Sequence, residues 1–469
     1  MLQPVIKRLI IKNFKCIKEL DIELAPFTIF VGPNGSGKSS ILEALALMSQ
    51  AAKENKSIRN AIRGELVEYQ DFREILYKGQ ESLELTLGFS TDVSVKEVEL
   101  GLEKDLEVAP HYASMASQEN ADCVRKYLDF LRKLKEDVLA KKDFIEATYT
   151  YSVSDLREIH TYKIEGYEIT FGYDKARRNY ISIPKDFKLS FSTSSISEAF
   201  LQPFAVAGYE SEFSRYLVNA LRKKLSKVYL LSAERGSIPW ALPAPAEKRA
   251  WVGRRGENTL AILAELMKPG YESRWVFYER LCEDFGIERP WAGWEARDII
   301  TSQYRDRYLG SVHRLPMLGY GSRQLLPVII QLAYSDPESV ILVEEPEISL
   351  HPRYQRMLPV LFGLAVSEGK QVLVTTHSSY FPLSLDLVLS KEGYIIKTYT
   401  LEKRSKQAEE KSISIRLEPT DIAVYHVVRD KEGHTRVERL EIDERGLKSG
   451  IPSFIDVERE ILGRFLYAV

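Results

Sequence analysis

Gly32-Pro33-Asn34-Gly35-Ser36-Gly37-Lys38-Ser39-Ser40 is the stretch around which the chain is organised. Thr28-Ile29-Phe30-Val31 before it reads as the end of a buried strand, and Ile41-Leu42-Glu43-Ala44-Leu45-Ala46-Leu47 after it reads as a helix. Strand, glycine-rich turn and helix, in that order, are the context a phosphate-binding loop requires. The glycines let successive backbone N–H groups turn inward around phosphates, and the helix start adds its positive end. Asn34, Gly35, Ser36, Gly37, Lys38, Ser39 and Ser40 are therefore expected to cradle a nucleoside triphosphate. Lys38 reaches its β- and γ-phosphates, and the Ser39 hydroxyl is a ligand for Mg²⁺.

The 469 residues suffice for two or more packed units. The 65 basic and 67 acidic residues nearly cancel, so bulk charge carries no nucleic-acid footprint, although a local patch would be enough to bind DNA. Cys16, Cys123 and Cys282 lie far apart without paired metal spacing, as expected in a reducing, cytoplasmic setting. No apolar run approaches 20 residues and the N-terminus lacks a long apolar signal region, so neither membrane spanning nor secretion is expected.

Ahead of the phosphate loop, Val5 to Ile11 is densely apolar and Leu20-Asp21-Ile22-Glu23-Leu24 alternates as a half-buried strand does. Phe14 and Lys15 sit where a loop could flank the nucleotide, with a core phenylalanine the competing reading for Phe14. Gln70 is a candidate sensor of the γ-phosphate through Mg²⁺ or water, and Glu81 to Phe89 alternates as a strand. From Asn120 to Glu146 the chain reads as a charged helix with an apolar stripe of Val124, Leu128, Leu131, Leu134 and Val138. That is about four heptads, too short for a long coiled-coil arm. Val228-Tyr229-Leu230-Leu231 resumes a buried strand and delivers Glu234 and Arg235, either a coupling site or a surface ion pair. Helices are expected at 272–286 and about 295–304.

Leu318-Gly319-Tyr320-Gly321-Ser322-Arg323-Gln324 is a second glycine-rich stretch, followed by an apolar helix from Leu325 to Tyr334. Val340-Ile341-Leu342-Val343 then reads as a short buried strand ending in Glu344-Glu345-Pro346. Glu344 is placed to hold Mg²⁺ and Glu345 to act as general base on the attacking water. His351 is a loop contact or a cap. Gln371 to Thr376 forms another strand, ending in His377, which is placed to contact the γ-phosphate and report its loss. Ligands at the carboxyl ends of sheet strands fit the open α/β rule. Four strand-like runs follow, at Tyr394 to Leu401, Ser412 to Leu417, Ile422 to Val428 and Thr435 to Ile442.

The ordered set of phosphate loop, glycine-rich signature, acidic strand end and strand-terminal histidine resembles an ABC-type ATPase head, in particular the RecF, SMC and OLD-like group of AAA family ATPases. Gly32–Ser39 is similar to the group's Walker A, Ile341–Glu345 to its Walker B, and Asn13-Phe14-Lys15 to its opening stretch. Glu344-Glu345-Pro346-Glu347 with Leu350-His351-Pro352 resembles the OLD-like variant, and Thr376-His377-Ser378 its switch histidine. The signature departs from the usual Leu-Ser-Gly-Gly-Gln form: Tyr320 stands near the serine's place, with Gly321 and Ser322 at the glycine positions.

The resemblance implies an α/β fold: a P-loop NTPase, an ABC-ATPase-like head with a mixed β-sheet, an inserted α+β region and a helical signature subdomain. The units expected are an N-terminal core part over 1–92, an insertion over 93–227, a core strand with a helical subdomain over 228–318, the signature, Walker B and switch-histidine part over 319–390, and a small β-rich unit over 391–469. It also implies an ATP-dependent head-to-tail homodimer in which Gly321 and Ser322 of one copy complete the ATP and Mg²⁺ site of the other. Glu345, Lys38 and His377 are the catalytic candidates, and Ser39, Glu344 and Gln70 the metal candidates. The activity implied is ATP hydrolysis coupled to DNA repair, chromosome-associated work or defence against foreign DNA. An ATP-gated scaffold for a separate effector protein is the alternative. An OLD-like nuclease is disfavoured because the stretch after His377 shows no glutamate strand followed by an Asp-x-Asp pair, and a transporter subunit because the signature diverges.

Overall fold

A computed structural model describes residues 2–77, 84–154, 157–165, 167–174, 179–182, 205–206, 209–243, 245, 247–296, 298–401 and 408–457. Its centre is a six-stranded sheet in the order β11 (Val228–Leu231), β16 (Val340–Glu344), β17 (Gln371–Thr376), β3 (Phe27–Val31), β20 (Ile422–Arg429) and β21 (Thr435–Leu440). The first five run parallel and only β21 is antiparallel. All side chains of β3, β16 and β17 are buried, as unbroken apolar runs in a parallel sheet require when both faces are covered. Alternate residues feed two cores. Phe30, Leu342 and Leu373 face one, with Ile41 and Leu45 of α1 (Lys38–Glu54); Ile29, Val343 and Val374 face the other, with Leu325 and Leu361.

The first core is closed by a seven-stranded antiparallel sheet: β2 (Ile17–Glu23), β1 (Arg8–Phe14), β4 (Leu85–Ser94), β5 (Phe144–Val153), β6 (Arg157–Ile164), β7 (Tyr167–Asp174) and β8 (Asn179–Ser182). Leu9 of β1 sits opposite Phe89 of β4, which sits opposite Tyr149 of β5. The insertion thus extends the N-terminal sheet instead of packing on it as a body of its own. The helices α2 (Val95–Met115), α3 (Gln118–Asp137) and α4 (Glu212–Ser226) accompany it. The stripe Val124, Leu128, Leu131, Leu134 and Val138 is buried, but the helix ends at Asp137 and Phe144 already begins β5.

On the second face lie α5 (Thr259–Leu266), α6 (Glu272–Asp284), α7 (Tyr320–Tyr334) and α9 (Leu358–Ser367), the last reached through the short α8 (Pro352–Gln355). The segment expected to be helical at about 295–304 is instead β14 (Ile299–Arg305). It pairs with β12 (Ala241–Pro243) on one side and β13 (Glu288–Ala296) on the other, and β15 (Val312–His313) adds to it. The run Ile299-Ile300-Thr301 is β-branched, and branched side chains fit a pleated surface better than a helix. The signature subdomain is therefore helical with a small antiparallel sheet. Near the C-terminus, β18 (Tyr394–Leu401) and β19 (Ala408–Ile415) pair antiparallel, whereas β20 and β21 form a C-terminal hairpin that joins the central sheet. The C-terminal segment thus supplies two of the six strands of the central sheet. Among the described residues no helix is long and apolar enough to cross a membrane.

Candidate functional site

Register brings the carboxyl ends of the parallel strands level: Val31 of β3 pairs with Thr376 of β17 and His426 of β20, and Glu344 of β16 with Thr375. The loops leaving these ends share one edge, where open α/β sheets bind their ligands. A cavity of about 750 Å³ opens there, lined by Asn34 to Ser40, Glu345 and His377.

The phosphate loop is held from below by the C-terminal hairpin. A Cβ on Gly32 would lie 2.0 Å from the Val427 carbonyl oxygen, so only glycine lets β20 approach this closely. Gly37, at φ 105°, precedes α1 and has no side-chain cap, leaving the first N–H groups of the helix facing the cavity. The Lys38 ammonium donates to the Gly32 and Pro33 carbonyls, both at 2.9 Å, and burial lowers its pKa to about 8. Uncapped N–H groups and a poorly solvated cation at a helix start suit an incoming polyphosphate.

The Glu344 carboxylate accepts from the Ala233 N–H at 3.2 Å, and the Ser39 hydroxyl lies beside it. Burial, with Glu43 nearby, holds the Glu344 carboxyl above the usual range. A hydroxyl and a hidden carboxylate are hard oxygen donors of the kind that bind Mg²⁺ together with water and substrate phosphates. No cluster of three or more His, Cys, Asp or Glu side chains suited to a metal occurs among the described residues.

Glu345 adopts a left-handed backbone, φ 44°, which costs a residue other than glycine about 1–2 kcal/mol. Its N–H donates to Thr375 O at 2.9 Å, and its carbonyl accepts from Arg235 at 2.9 Å, so the turn is held from both sides. The conformation directs the carboxylate to the cavity, where His377 Nε2 lies 3.3 Å away. That hydrogen bond, against the opposing effect of burial, keeps the Glu345 carboxyl below the usual range, ionised and able to accept a proton.

Several other candidates lie elsewhere. Gln70 is exposed, its N–H given to Glu74 and its carbonyl to Arg63, and it does not line the cavity; Glu74 does. Asp71 caps the turn Phe72–Ile75, which swings Glu74 and Tyr77 inward in place of Gln70. Phe14 is fully buried core, while Lys15 lines the cavity and pairs with Glu43. Gly321 and Ser322 form the first turn of α7 and do not line the cavity. A Cβ on Gly321 would sit 2.4 Å from Ser349 O, so glycine here lets α7 meet the loop before α8. His351 caps α8 by accepting from the Arg353 N–H.

Three further contributors are not among the candidates read from the sequence. Glu347, 7% exposed, accepts from the His377 N–H at 2.6 Å and so fixes the histidine's backbone; the acid pattern Glu344-Glu345-Pro346-Glu347 was the one available hint. Arg429 donates to Gly35 O and Gly433 O, both at 2.7 Å, and lines the cavity. Thr435 donates to Ser36 O at 2.9 Å.

Parts of the chain match known proteins. The profile described as "AAA ATPase domain" matches residues 5–238, and "AAA domain, putative AbiEii toxin, Type IV TA system" matches 296–384. The chain is 50% identical over 44 residues to an OLD nuclease of Thermus scotoductus, covering 9% of this chain and 8% of that protein. It is 42% identical over 64 residues to the DNA replication and repair protein RecF of Vibrio vulnificus, covering 13% and 17%. With RecF of Aliivibrio fischeri it shares 34% over 110 residues, covering 22% and 29%. The chain thus spans less than a third of the length of each of these relatives. Among solved structures, the SMC head domain from Thermotoga maritima aligns at 13% identity over 93% of this chain and 99% of that one, with a TM-score of 0.39.

Proposed function

Because the chain matches AAA ATPase domain profiles and shares short stretches with RecF and an OLD nuclease, we propose that it hydrolyses ATP at a site completed by a second copy. The observation that carries the reading is the meeting of Lys38, Glu345 and His377 at one cavity, with the Ser39–Glu344 pair beside it. The phosphate loop binds the triphosphate, Lys38 moving from its loop carbonyls to phosphate oxygens. Glu345 accepts a proton from the water that attacks the γ-phosphorus, and ADP leaves with the β–γ bridging oxygen. His377 orients that carboxylate and contacts the γ-phosphate. Ser39 and Glu344 would hold Mg²⁺, which neutralises charge on the phosphates. The start of α7 in a facing copy, with Gly321 and Ser322, supplies further N–H groups.

RecF's description as a DNA replication and repair protein supports coupling to DNA repair, and the proposal extends to chromosome-associated work or defence against foreign DNA. ATP-dependent DNA binding measured across salt concentrations tests it, since real phosphate contacts weaken steeply as salt rises. A second reading, an ATP-gated scaffold for a protein effector, is favoured by Trp240, Trp291, Trp294 and Ile299, all exposed in or beside the small sheet of the signature subdomain. The hydrolysis itself is tested by phosphate release: Glu345→Gln is expected to lose about 10²–10⁴-fold in rate while still binding ATP. Undiminished turnover in that variant rejects the assignment of the base.

A further inference from the structure

Arg235 lies four residues beyond the end of β11 and is 4% exposed. Among the described residues its guanidinium makes no direct carboxylate pair. Instead Nε donates to Gln324 O at 2.8 Å, Nη1 to Ser232 O at 2.7 Å and to Glu344 O, and Nη2 to Glu345 O at 2.9 Å. Its backbone N–H also donates to Gln324 Oε1 at 3.2 Å. Gly236 follows with φ 87°, and a Cβ there would lie 2.8 Å from Arg323 O, so this backbone is pressed against the first turns of α7. One planar fork thus joins three separate parts of the fold: the end of β11, the acidic turn after β16, and the signature helix. Lysine cannot replace it, because an ammonium lacks the rigid array of donors that spans carbonyls set this far apart.

We propose that Arg235 is the positioning residue that ties the turn carrying Glu345 to the signature helix, so that a facing copy docking on α7 is felt at the proton-accepting carboxylate. The proposal rests on the reading of Glu345 as the base. Arg235 is not among the residues lining the cavity, and acts through the Glu344 and Glu345 carbonyls it holds. Glu345 keeps its left-handed backbone partly through that bond, so losing it frees the turn to relax and misdirects the carboxylate. Misplacement of a reacting group on this scale costs rate and leaves ground-state binding largely intact.

The test compares Arg235→Lys and Arg235→Gln with Glu345→Gln in the full chain. Affinity for a fluorescent ATP analogue, kcat and KM, and the dependence of specific activity on protein concentration are all measured. Both arginine variants should lose about 10²-fold in kcat with analogue affinity within about threefold of wild type. The rise of specific activity with protein concentration, expected for a site shared between copies, should flatten. Arg235→Lys keeps the charge and serves if the glutamine variant does not fold. Near-normal kcat in Arg235→Lys, or a loss of affinity as large as the loss of kcat, overturns the proposal. If Glu345→Gln itself turns over normally, it is the assignment of the base that has failed.

Discussion

His377 Nε2 stands 3.3 Å from Oε1 of Glu345, and the backbone N–H of the same histidine donates at 2.6 Å to Glu347. Two acids of one short turn are thereby given opposite characters. The His377 ring holds the Glu345 carboxyl below the usual range, whereas burial pushes the Glu347 carboxyl above it. Environments that drive neighbouring carboxyls apart are how a site divides roles between them. Glu345 faces the cavity, where it is the proposed proton acceptor, and Glu347 anchors the histidine loop.

That division predicts the effect of His377→Ala. Phosphate release should fall about 10²-fold, because the carboxylate loses its orienting partner and the γ-phosphate loses a contact. ATP affinity should change little, since the phosphate loop is untouched. Steady-state kinetics and equilibrium binding on one preparation check both statements.

Gly32→Ala is expected to destabilise the protein by about 1–3 kcal/mol, the usual cost of forcing a methyl into filled space. The added Cβ would meet a backbone carbonyl, that of Val427, which cannot turn aside as a side chain can. Thermal unfolding should show a lowered midpoint, and ATP should restore part of it by mass action. An unchanged midpoint would mean that β20 does not lie against the loop.

Arg429→Ala should weaken ATP binding about tenfold, the order expected for removing a charged donor from a partly exposed site. Its bond to Gly35 O fixes the crown of the phosphate loop and its bond to Gly433 O fixes the turn of the C-terminal hairpin. Titration with a fluorescent ATP analogue reads the change.

How far this site could be read in advance follows the range of the interactions. Gly32 to Ser40 was legible because the loop, its strand and its helix are contiguous, and the acids after β16 and the histidine after β17 sit on equally local strand ends. Arg429 and Thr435 were not, because they reach the loop only through pairing of β20 with β3 across nearly the whole chain. Gln70 was misplaced for a related reason: the cap from Asp71 decides which neighbours turn inward, and a lone polar residue does not announce it. Ile299-Ile300-Thr301 was assigned to a helix although its β-branched run meets a waiting strand on either side.

The C-terminal hairpin should also give the fold an acid-side weakness. His426 of β20 is buried with Nε2 3.0 Å from Ser453 Oγ, and burial lowers its pKa against the pull of Glu438 and Asp456. A histidine with a depressed folded pKa binds its proton more readily when unfolded. The stability it contributes is therefore complete above the unfolded value near 6.5 and is lost as pH falls through the lower folded value. The unfolding midpoint of wild type should fall over that window, and His426→Gln should flatten this part of the profile.

The claim on which the rest depends is that the phosphate loop is half of a site whose other half is α7 of a second copy. Static light scattering of Glu345→Gln, with and without ATP and Mg²⁺, tests it most directly, since blocked hydrolysis should trap the closed assembly. The account predicts a monomer without nucleotide and a doubled mass with it. A mass that stays monomeric while ATP is demonstrably bound would contradict it.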